Sequence, residues 1–456
     1  MTRIRLLPLI AFVLVAFATT DDASANGRPL GGTGADSHGA DFILFPTTLG
    51  LLVSSDDGAA FNWICEGNVG YGGTYDPDYA ISDAGDVWAT TFEGLRVTRD
   101  GGCTWTTMGG AILENHFFSD VEVGSDGKVW VASATGGAPN DVFVSTDDGV
   151  TFVSAGLLEE KIWWRSLVIA PSDPLTLYVT GFRLAEPDGN GGMIPAEAHV
   201  RRTTDGGANW EPLPVTDFAF GSAPNVFIVA VSPLDPTIVF ARVLGARDPT
   251  GDDIYRSADS GATWAAPLQF QDPISAFKIL ADGTTVIVGS RGNCIGDPPT
   301  AEKGCVQRST DGGVTWALAT EQPKMGCLHQ RSNGELIACG ANWDPDNFAL
   351  GRSIDGGQTW DKVVRFSEIS GPLSCAAESP QFECAAKDWP ALCVQLGICD
   401  GGDAGATDPD AGIGGGDEGG GGGGCFGCSS SSGGIALLAL LPLGWLSRRR
   451  RRRGCA

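Results

Sequence analysis

The octet STDGGVTW, at Ser309 to Trp316, recurs with variation at seven places along the chain. A second clear copy is SIDGGQTW, at Ser353 to Trp360. The five others are SSDDGAAF (54–61), TRDGGCTW (98–105), STDDGVTF (145–152), TTDGGANW (203–210) and SADSGATW (257–264). All copies share the frame Ser/Thr-x-Asp-x-Gly-x-x-aromatic, so the same local structure is expected seven times.

Each position of this frame has a local physical role. The Asp side chain is short enough to accept hydrogen bonds from backbone N–H groups just ahead of it. The Gly two residues later adopts a positive φ without a Cβ clash, and the closing aromatic packs back onto the sheet. We therefore predict that each octet is the turn of a β-hairpin with a structural Asp. These residues are Asp56, Asp100, Asp147, Asp205, Asp259, Asp311 and Asp355.

The spacing of the octets predicts the fold. Their closing aromatics, from Phe61 to Trp360, lie 44 to 58 residues apart. A β-patterned period of about 40–50 residues is typical of propeller blades with four strands each. A single blade cannot bury both faces, whereas a closed ring of blades can. We predict an all-β fold, a seven-bladed β-propeller of four-stranded blades over residues 26–375.

The frame resembles the Asp-box (BNR) repeat of sialidases, sortilin-type receptors, xyloglucanases and photosystem II assembly factors. The resemblance implies a propeller whose Asp boxes are structural turns far from any active site. Two departures separate the chain from the enzymes in this group. It lacks the early Arg-Ile-Pro motif of sialidases, and it has one set of seven repeats, whereas xyloglucanases resemble two propellers with a cleft between them.

The first blade shows no pattern for an inner strand before its octet. We predict that the late segment Glu368 to Cys375 supplies this strand and closes the ring, the alternative being an open blade with a frayed edge. Insertions should all connect second and third strands, on the face opposite the octets. This loop face carries the ranges Arg183 to Glu197, Val243 to Asp253, Arg291 to Gly304 and Ala341 to Asn347. Function usually resides in such loops on a rigid scaffold.

The cysteines predict a disulfide-bonded, exported protein. We expect Cys294 to pair with Cys305 and Cys327 with Cys339, since each pair flanks one short segment. Residues 376–399 are expected to form a small Cys-rich helical cap, whose neighbourhood holds two further bridges. These join Cys375, Cys384, Cys393 and Cys399 in an undetermined order. Cys65 and Cys103 are paired only by elimination.

Both ends of the chain carry targeting patterns. Residues 1–25 have two arginines, an apolar run and an Ala-Ser-Ala site, which predicts a cleaved signal peptide. Residues 400–424 are mostly Gly, Asp and Ala and predict a disordered linker. Residues 425–456 resemble the MYXO-CTERM sorting signal, with Cys425 and Cys428, a short apolar segment and six arginines. The resemblance implies removal of the tail by a membrane protease of the myxosortase type.

Localisation follows from these two ends. The chain would pass transiently through the inner membrane as a transmembrane helix and then be retained at the cell surface or outer membrane. Retention would use a lipoprotein-like anchor on Cys425 or Cys428. A simple C-terminal anchor in the inner membrane is the alternative.

The composition and a few individual side chains limit the kinds of ligand to be expected. The chain has 30 basic and 55 acidic residues, a net charge of −25, which argues against nucleic acid as a partner. Aromatic and charged residues of the loop face predict a site for a glycan or protein ligand. For the pair of adjacent tryptophans, the alternative is packing between blades. The candidates are Trp163, Trp164, Arg165, Asp248, Asp252, Trp343 and Asp344. The loops at 248–253 and 343–347 could hold calcium, whereas the four histidines, scattered in the sequence, suggest neither a zinc site nor a triad.

No catalytic residue stands out from the sequence, and no cofactor is implied. We therefore expect a non-enzymatic binding or scaffolding propeller. The alternative is a carbohydrate-active glycoside hydrolase, sialidase-like or xyloglucanase-like. That alternative requires two carboxyl groups in a pocket at the propeller axis.

Overall fold

The structure is a computed structural model that describes residues 29–73, 75–92, 94–247, 251–298 and 302–399. The predicted signal peptide, the linker and the sorting signal with Cys425 and Cys428 lie outside these ranges, as does Asp248. Among the residues described, no helix has the length and apolar character needed to span a membrane.

The chain forms the predicted seven-bladed propeller, and every blade has four antiparallel strands in chain order. The first three blades consist of Asp36–His38, Phe42–Thr47, Gly50–Ser54 and Asn62–Ile64; Tyr79–Ile81, Val87–Thr91, Gly94–Thr98 and Thr106–Thr107; and Phe118–Val123, Val129–Ser133, Val142–Ser145 and Val153–Ser154. The fourth and fifth consist of Trp163–Ala170, Asp173–Arg183, Glu197–Thr203 and Glu211–Leu213; and Val226–Val231, Val239–Arg247, Gly251–Ser257 and Leu268–Gln269. The last two consist of Ile274–Ile279, Val286–Ser290, Cys305–Ser309 and Ala317–Leu318; and Cys327–Gln330, Leu336–Cys339, Leu350–Ser353 and Asp361–Val364.

The ring closes because the inner strand of each blade contacts that of the next, and the inner strand of blade 7 contacts that of blade 1. The smaller elements sit around this ring. They are the helices Glu66–Val69, Gly110–Leu113 and Pro380–Gln395, the 3-10 turn Phe366–Glu368, the hairpin Glu186–Pro187 with Met193–Ile194, and the strand Gly371–Pro372. All four predicted insertions connect second and third strands, as the sequence indicated.

The octets form the hairpin turns between third and fourth strands, as predicted. In all seven, the first Ser or Thr donates its hydroxyl to the Asp at 2.7–2.9 Å. The seventh residue donates its backbone N–H to the same carboxylate at 2.8–3.0 Å. Hydrogen bonds, above all from Asn209, lower the pKa of Asp205 to about 2. Each Asp is therefore ionised and structural.

Packing between blades centres on one large residue in each second strand. Trp88, Trp130, Tyr178 and Phe240 are almost completely buried at equivalent positions. The positive-φ glycine of the next octet lies against this side chain, as Gly149 does against Trp88. The octet thus fixes both a turn and a contact between neighbouring blades.

The prediction for blade 1 is wrong. Its inner strand is Asp36–His38, which pairs with Phe42–Thr47, and this strand was missed because its sequence is polar. The late segment instead adds Gly371–Pro372 as a fifth strand, parallel to Asn62–Ile64 at the outer edge. Proline lacks an N–H and suits such an edge position.

The seam between blades 7 and 1 is held by ion pairs as well as packing. Arg331, whose side chain is 1% exposed, lies 2.5 Å from the Asp57 carboxylate. Arg352 contacts the same carboxylate at 2.8 Å, and Arg331 also donates to the Ala40 carbonyl. Two arginines of blade 7 therefore fasten the octet turn of blade 1.

The C-terminal helix Pro380–Gln395 is docked onto blade 1 through buried polar and aromatic contacts. Gln381 is completely buried, donates to the Trp63 carbonyl at 2.8 Å and accepts from the Cys65 N–H at 3.1 Å. Trp389 packs on Trp63 with ring centroids 5.6 Å apart. The helix therefore covers the outer edge of blade 1.

Five disulfides join the ten described cysteines, but only part of the predicted pairing is right. The pairs Cys294–Cys305 and Cys327–Cys339 are confirmed, and Cys393 pairs with Cys399 at the end of the helix. Pairing of Cys65 with Cys103 by elimination is wrong, and so is the expectation that Cys375 and Cys384 form a bridge within the group of four. Cys65 pairs with Cys384 and Cys103 with Cys375, because the C-terminal segment returns to blades 1 and 2.

Candidate active site in the axial channel

The inner strands place one side chain per blade at the same level around the axis. Strand register defines this level. In each blade, the third-strand residue just before the octet pairs with one residue of the second strand. That second-strand residue in turn pairs with the inner-strand residue at this level. The seven are Asp36, Ala80, Glu122, Val168, Ala230, Lys278 and His329, from blade 1 to blade 7. Four of the seven are ionisable, which is unusual for the centre of a fold.

Two further carboxyl groups lie one pleat nearer to the loop face. Asp78 and Asp120 occupy equivalent positions in blades 2 and 3 and hydrogen-bond to each other, which requires a proton on one of them. Asp78 also accepts from the Val121 N–H at 3.0 Å, and Asp120 from the Leu167 N–H at 2.6 Å. Each carboxyl therefore bridges to the inner strand of the next blade.

A cavity of about 460 Å³ brings these acids together. Its lining includes Asp36, Asp78, Asp120 and Glu122, together with Ser166. Apart from Tyr79, the other lining residues are small or apolar, so the carboxyl groups dominate the chemistry of the cavity. This volume is within the range of small-molecule sites in proteins.

The surroundings separate the protonation states of Glu122 and Asp36. Burial, aided by the nearby charge of Asp78, raises the pKa of Glu122 to about 8, although Lys278 opposes the rise. Burial raises the pKa of Asp36 only to about 6, because the Ser37 N–H and Lys278 oppose it. At neutral pH Glu122 is therefore mainly protonated and Asp36 mainly ionised. Pairs of carboxyl groups whose surroundings give them different pKa values in this way are typical of acid–base catalysts.

His329 lies beside the ionised carboxyl group of Asp36. Its Nε2 lies 3.0 Å from the Ser37 hydroxyl and its Nδ1 lies 3.4 Å from the Asp36 carboxylate. Burial, with Lys278 and Arg331 nearby, lowers the pKa of His329 to about 3, so the ring is neutral. The tautomer protonated on Nδ1 faces Asp36 and accepts from Ser37 through Nε2. His329 is distant in sequence from the neighbouring residues Asp36 and Ser37, and the seam between blades 7 and 1 brings it beside them.

The predicted ligand residues at blade 4 divide between the core and the loop face. Trp164 is fully buried and donates its indole N–H to the Leu157 carbonyl at 3.1 Å, so its role is packing between blades. Trp163 lies edge-on to Phe182 at 5.4 Å. Arg165 lies over the rings of Phe182 and Phe227, at 5.6 and 5.2 Å.

The remaining predicted residues do not gather into one site. Asp252 is 2% exposed, lies 2.6 Å from Arg242 and accepts from the Ile274 N–H at 3.0 Å, so it is part of a buried ion pair. Trp343, 42% exposed, and Asp344 lie on a loop of blade 7. Within the described ranges, no cluster of three or more His, Cys, Asp or Glu side chains could bind a metal ion.

The axial acids were missed although the sequence carried a signal for them. In the inner strand of blade 3, Asp120 and Glu122 alternate, and so share one side of a strand that should be enclosed on both sides. Charged residues at such positions must be paired or functional, since burying them unpaired is costly. Asp36 had no such signal, because its strand was not recognised.

Comparison with known proteins gives sequence relatives that are enzymes. The chain is 28% identical over 251 residues to the xyloglucanase Xgh74A of Acetivibrio thermocellus, covering 49% of this chain and 28% of that enzyme. It is 30% identical over 179 residues to a xyloglucanase of a Paenibacillus species, covering 35% of this chain and 16% of that enzyme. The chain thus spans less than a third of the length of either relative. No family model matches it.

Among solved structures, the chain is similar to a GH74 enzyme of Niastella koreensis. The TM-score is 0.40 at 16% identity, covering 76% of this chain and 66% of that one. By its sheet topology the molecule is a seven-bladed propeller, and part of its sequence is similar to xyloglucanases.

These relatives contradict our expectation of a binding or scaffolding module without enzymatic activity. That expectation is wrong, because the curated sequences that match are xyloglucanases and favour the alternative of a glycoside hydrolase. It rested on the lack of a catalytic motif in the sequence. In this fold the candidate catalytic groups come from separate blades and form no motif.

Proposed function

We propose that the chain is a glycoside hydrolase that uses Glu122 as general acid and Asp36 as base in the axial channel. The observation that carries this proposal is a mainly protonated and a mainly ionised carboxyl group at one level of one cavity. Glycoside hydrolysis uses such a pair: the acid protonates the leaving oxygen while the carboxylate acts on the other face of the sugar. The xyloglucanase relatives suggest a β-glucan such as xyloglucan as the substrate class.

The positions of the two groups favour a water-mediated reaction. Asp36 belongs to blade 1 and Glu122 to blade 3, and the residue between them at this level is the small Ala80. Blade 2 lies between the two groups, and an inverting reaction would place its water molecule there, beside the anomeric carbon. Asp36 would take a proton from this water, and the product would have inverted configuration.

The other residues of the channel support these roles. His329 orients Asp36, and Lys278 lowers the pKa of both carboxyl groups and so keeps Asp36 ionised. Asp78 and Asp120 share a proton at the side nearer the loop face, where they offer hydrogen bonds to sugar hydroxyls. The residues of the site come from five of the seven blades.

The test is hydrolysis of xyloglucan by the full-length protein, measured as release of reducing ends. Glu122→Gln and Asp36→Asn should each lower the rate by about 10²–10⁴-fold, the usual effect of losing a general acid or base. The control is Asp83→Asn, an exposed acid in the turn between the first two strands of blade 2. Equal activity of Glu122→Gln and wild type, with both folded, would refute the assignment.

A second measurement separates the two roles. An aryl glycoside with a dinitrophenolate leaving group needs little protonation. Glu122→Gln should therefore lose much less activity on that substrate than on xyloglucan, whereas Asp36→Asn should lose activity on both. NMR of the first-formed anomer then shows whether configuration is inverted.

For the rest of the chain we propose the assignments that the sequence suggested. The octets are Asp-box repeats, which their conserved hydrogen-bond pattern supports. Residues 1–25 direct export, and residues 425–456 act as a MYXO-CTERM-type signal that leaves the enzyme at the cell surface. Mass spectrometry of the mature C-terminus tests this, since a retained Arg448 to Arg453 tail contradicts processing.

A further inference from the structure

Three aromatic rings form a cluster at the loop-face end of blades 2 and 3. Tyr75 and Phe92 have centroids 4.4 Å apart, and Phe117 lies 5.6 Å from Tyr75 and 6.0 Å from Phe92. We call Tyr75, Phe92 and Phe117 the rim cluster. Phe92 is 62% exposed, although a ring of its size is usually buried when a neighbouring surface can cover it.

The rim cluster is tied in sequence and space to the axial acids. Tyr75 precedes Asp78 by three residues, and Phe117 precedes Asp120 by three residues. Because Asp78 and Asp120 occupy equivalent positions, Tyr75 and Phe117 also lie at equivalent points, just before neighbouring inner strands. A chain bound on the rim cluster would therefore continue toward the acids.

Hydrogen bonds anchor two members of the rim cluster, Tyr75 through its hydroxyl and Phe117 through its backbone. The Tyr75 hydroxyl lies 3.2 Å from the Thr90 carbonyl and 3.4 Å from the Phe118 carbonyl. The Thr90 hydroxyl in turn accepts from the Asp78 N–H at 2.9 Å. On the neighbouring blade the Phe117 N–H donates to the Thr135 hydroxyl at 2.8 Å. Phe92 packs against these two anchored residues, which lowers the cost of ordering the cluster when a ligand binds.

A groove of about 690 Å³ extends from the cluster along the connection between blades 2 and 3. Its lining combines apolar side chains, such as Phe92, Met108 and Leu113, with polar ones, such as Thr107 and Asn115. A mixed lining of this kind matches a pyranose ring, which presents C–H groups on its faces and hydroxyls around its rim. The lining carries Glu114 and no lysine or arginine, and the whole chain is acidic, so a neutral sugar suits it better than an anionic ligand.

We propose that the rim cluster is a binding subsite for a sugar ring of a neutral polysaccharide, with Phe92 as the stacking platform. The adjoining groove receives the outer part of the chain, and the next units lead toward the axial cavity. This inference rests on the proposed hydrolase function, since it names where the substrate of that same site is held.

The test is binding of a xyloglucan oligosaccharide, measured by calorimetry in the Glu122→Gln background so that the probe stays intact. Phe92→Ala should weaken binding at least tenfold, and Phe92→Trp should retain it. The matched control is Ile354→Ala, which removes a side chain that is 78% exposed in an octet on the opposite face. In the active enzyme Phe92→Ala should raise KM while kcat changes little, because stacking at a distance from the bond broken is common to ground and transition states.

The outcomes separate this inference from the hydrolase proposal. If Phe92→Ala loses binding but the wild-type protein hydrolyses no xyloglucan, the subsite is supported and the hydrolase proposal is refuted. If the protein hydrolyses xyloglucan but Phe92→Ala changes neither affinity nor KM, the hydrolase proposal stands and the subsite is refuted. Equal weakening by Ile354→Ala would also refute it, since the effect would then not belong to this face.

Discussion

Replacing Gly149 by alanine tests the contact between an octet and the neighbouring blade. Gly149 has φ of 77°, and a Cβ there would lie 2.2 Å from Cη2 of the buried Trp88 ring. Two costs therefore add. A left-handed conformation costs an alanine about 1–2 kcal/mol, and forcing an atom into a filled core costs roughly 1–3 kcal/mol more. We expect Gly149→Ala to lower the free energy of unfolding by about 2–5 kcal/mol.

The matched control is Gly156→Ala, in the same blade. Gly156 has φ of 81°, but no atom lies within 4 Å of the Cβ position. Only the backbone cost applies there, so the expected loss is about 1–2 kcal/mol. Urea unfolding of both variants, with disulfides intact and equal m-values, gives the difference. Equal losses in the two variants would show that the Trp88 contact is not tight and would refute the packing argument.

Three further predictions concern the channel and the C-terminal segment. Activity on xyloglucan should follow a bell-shaped pH profile with limbs near pH 6 and pH 8, because Asp36 must be ionised and Glu122 protonated; a flat profile from pH 5 to 9 contradicts both roles. Because the folded state raises the pKa of Glu122 from 4.5 to about 8, ionising it lowers stability as pH rises through that window. Urea unfolding should therefore show that Glu122→Gln is more stable than wild type at pH 8.5, and that this difference in stability becomes smaller toward pH 4.5. Replacing Cys103 and Cys375 by serine should lower stability by roughly 2–5 kcal/mol and increase hydrogen exchange in the outer strand Asn62–Ile64; unchanged exchange there would show that this bridge does not hold the C-terminal segment on blade 1.

The octets could be predicted from sequence because all of their interactions are local. Asp311, for example, receives its hydrogen bonds from residues within four positions along the chain. Their number then determined the number of blades, since each blade contains one octet turn between its third and fourth strands. The pairs Cys294–Cys305 and Cys327–Cys339 were predictable for the same reason, because each spans a single segment.

Features that depend on distant segments were missed. The inner strand Asp36–His38 is polar because it faces the channel, and the apolar pattern expected of a strand is therefore absent. The bridges Cys65–Cys384 and Cys103–Cys375 span most of the chain, so no spacing rule could identify them. The rim cluster likewise combines rings from three separate connections.

The sequence by itself determined the repeat, its turns and thus a ring of seven blades. Only the tertiary structure decided what lies at the centre of that ring. Asp36, Glu122, Lys278 and His329 are far apart along the chain, and each belongs to a different blade. They meet because closure around an axis brings one position of every inner strand to the same level. Charge there is shielded from water by the blades themselves, which raises the pKa of the carboxyl groups.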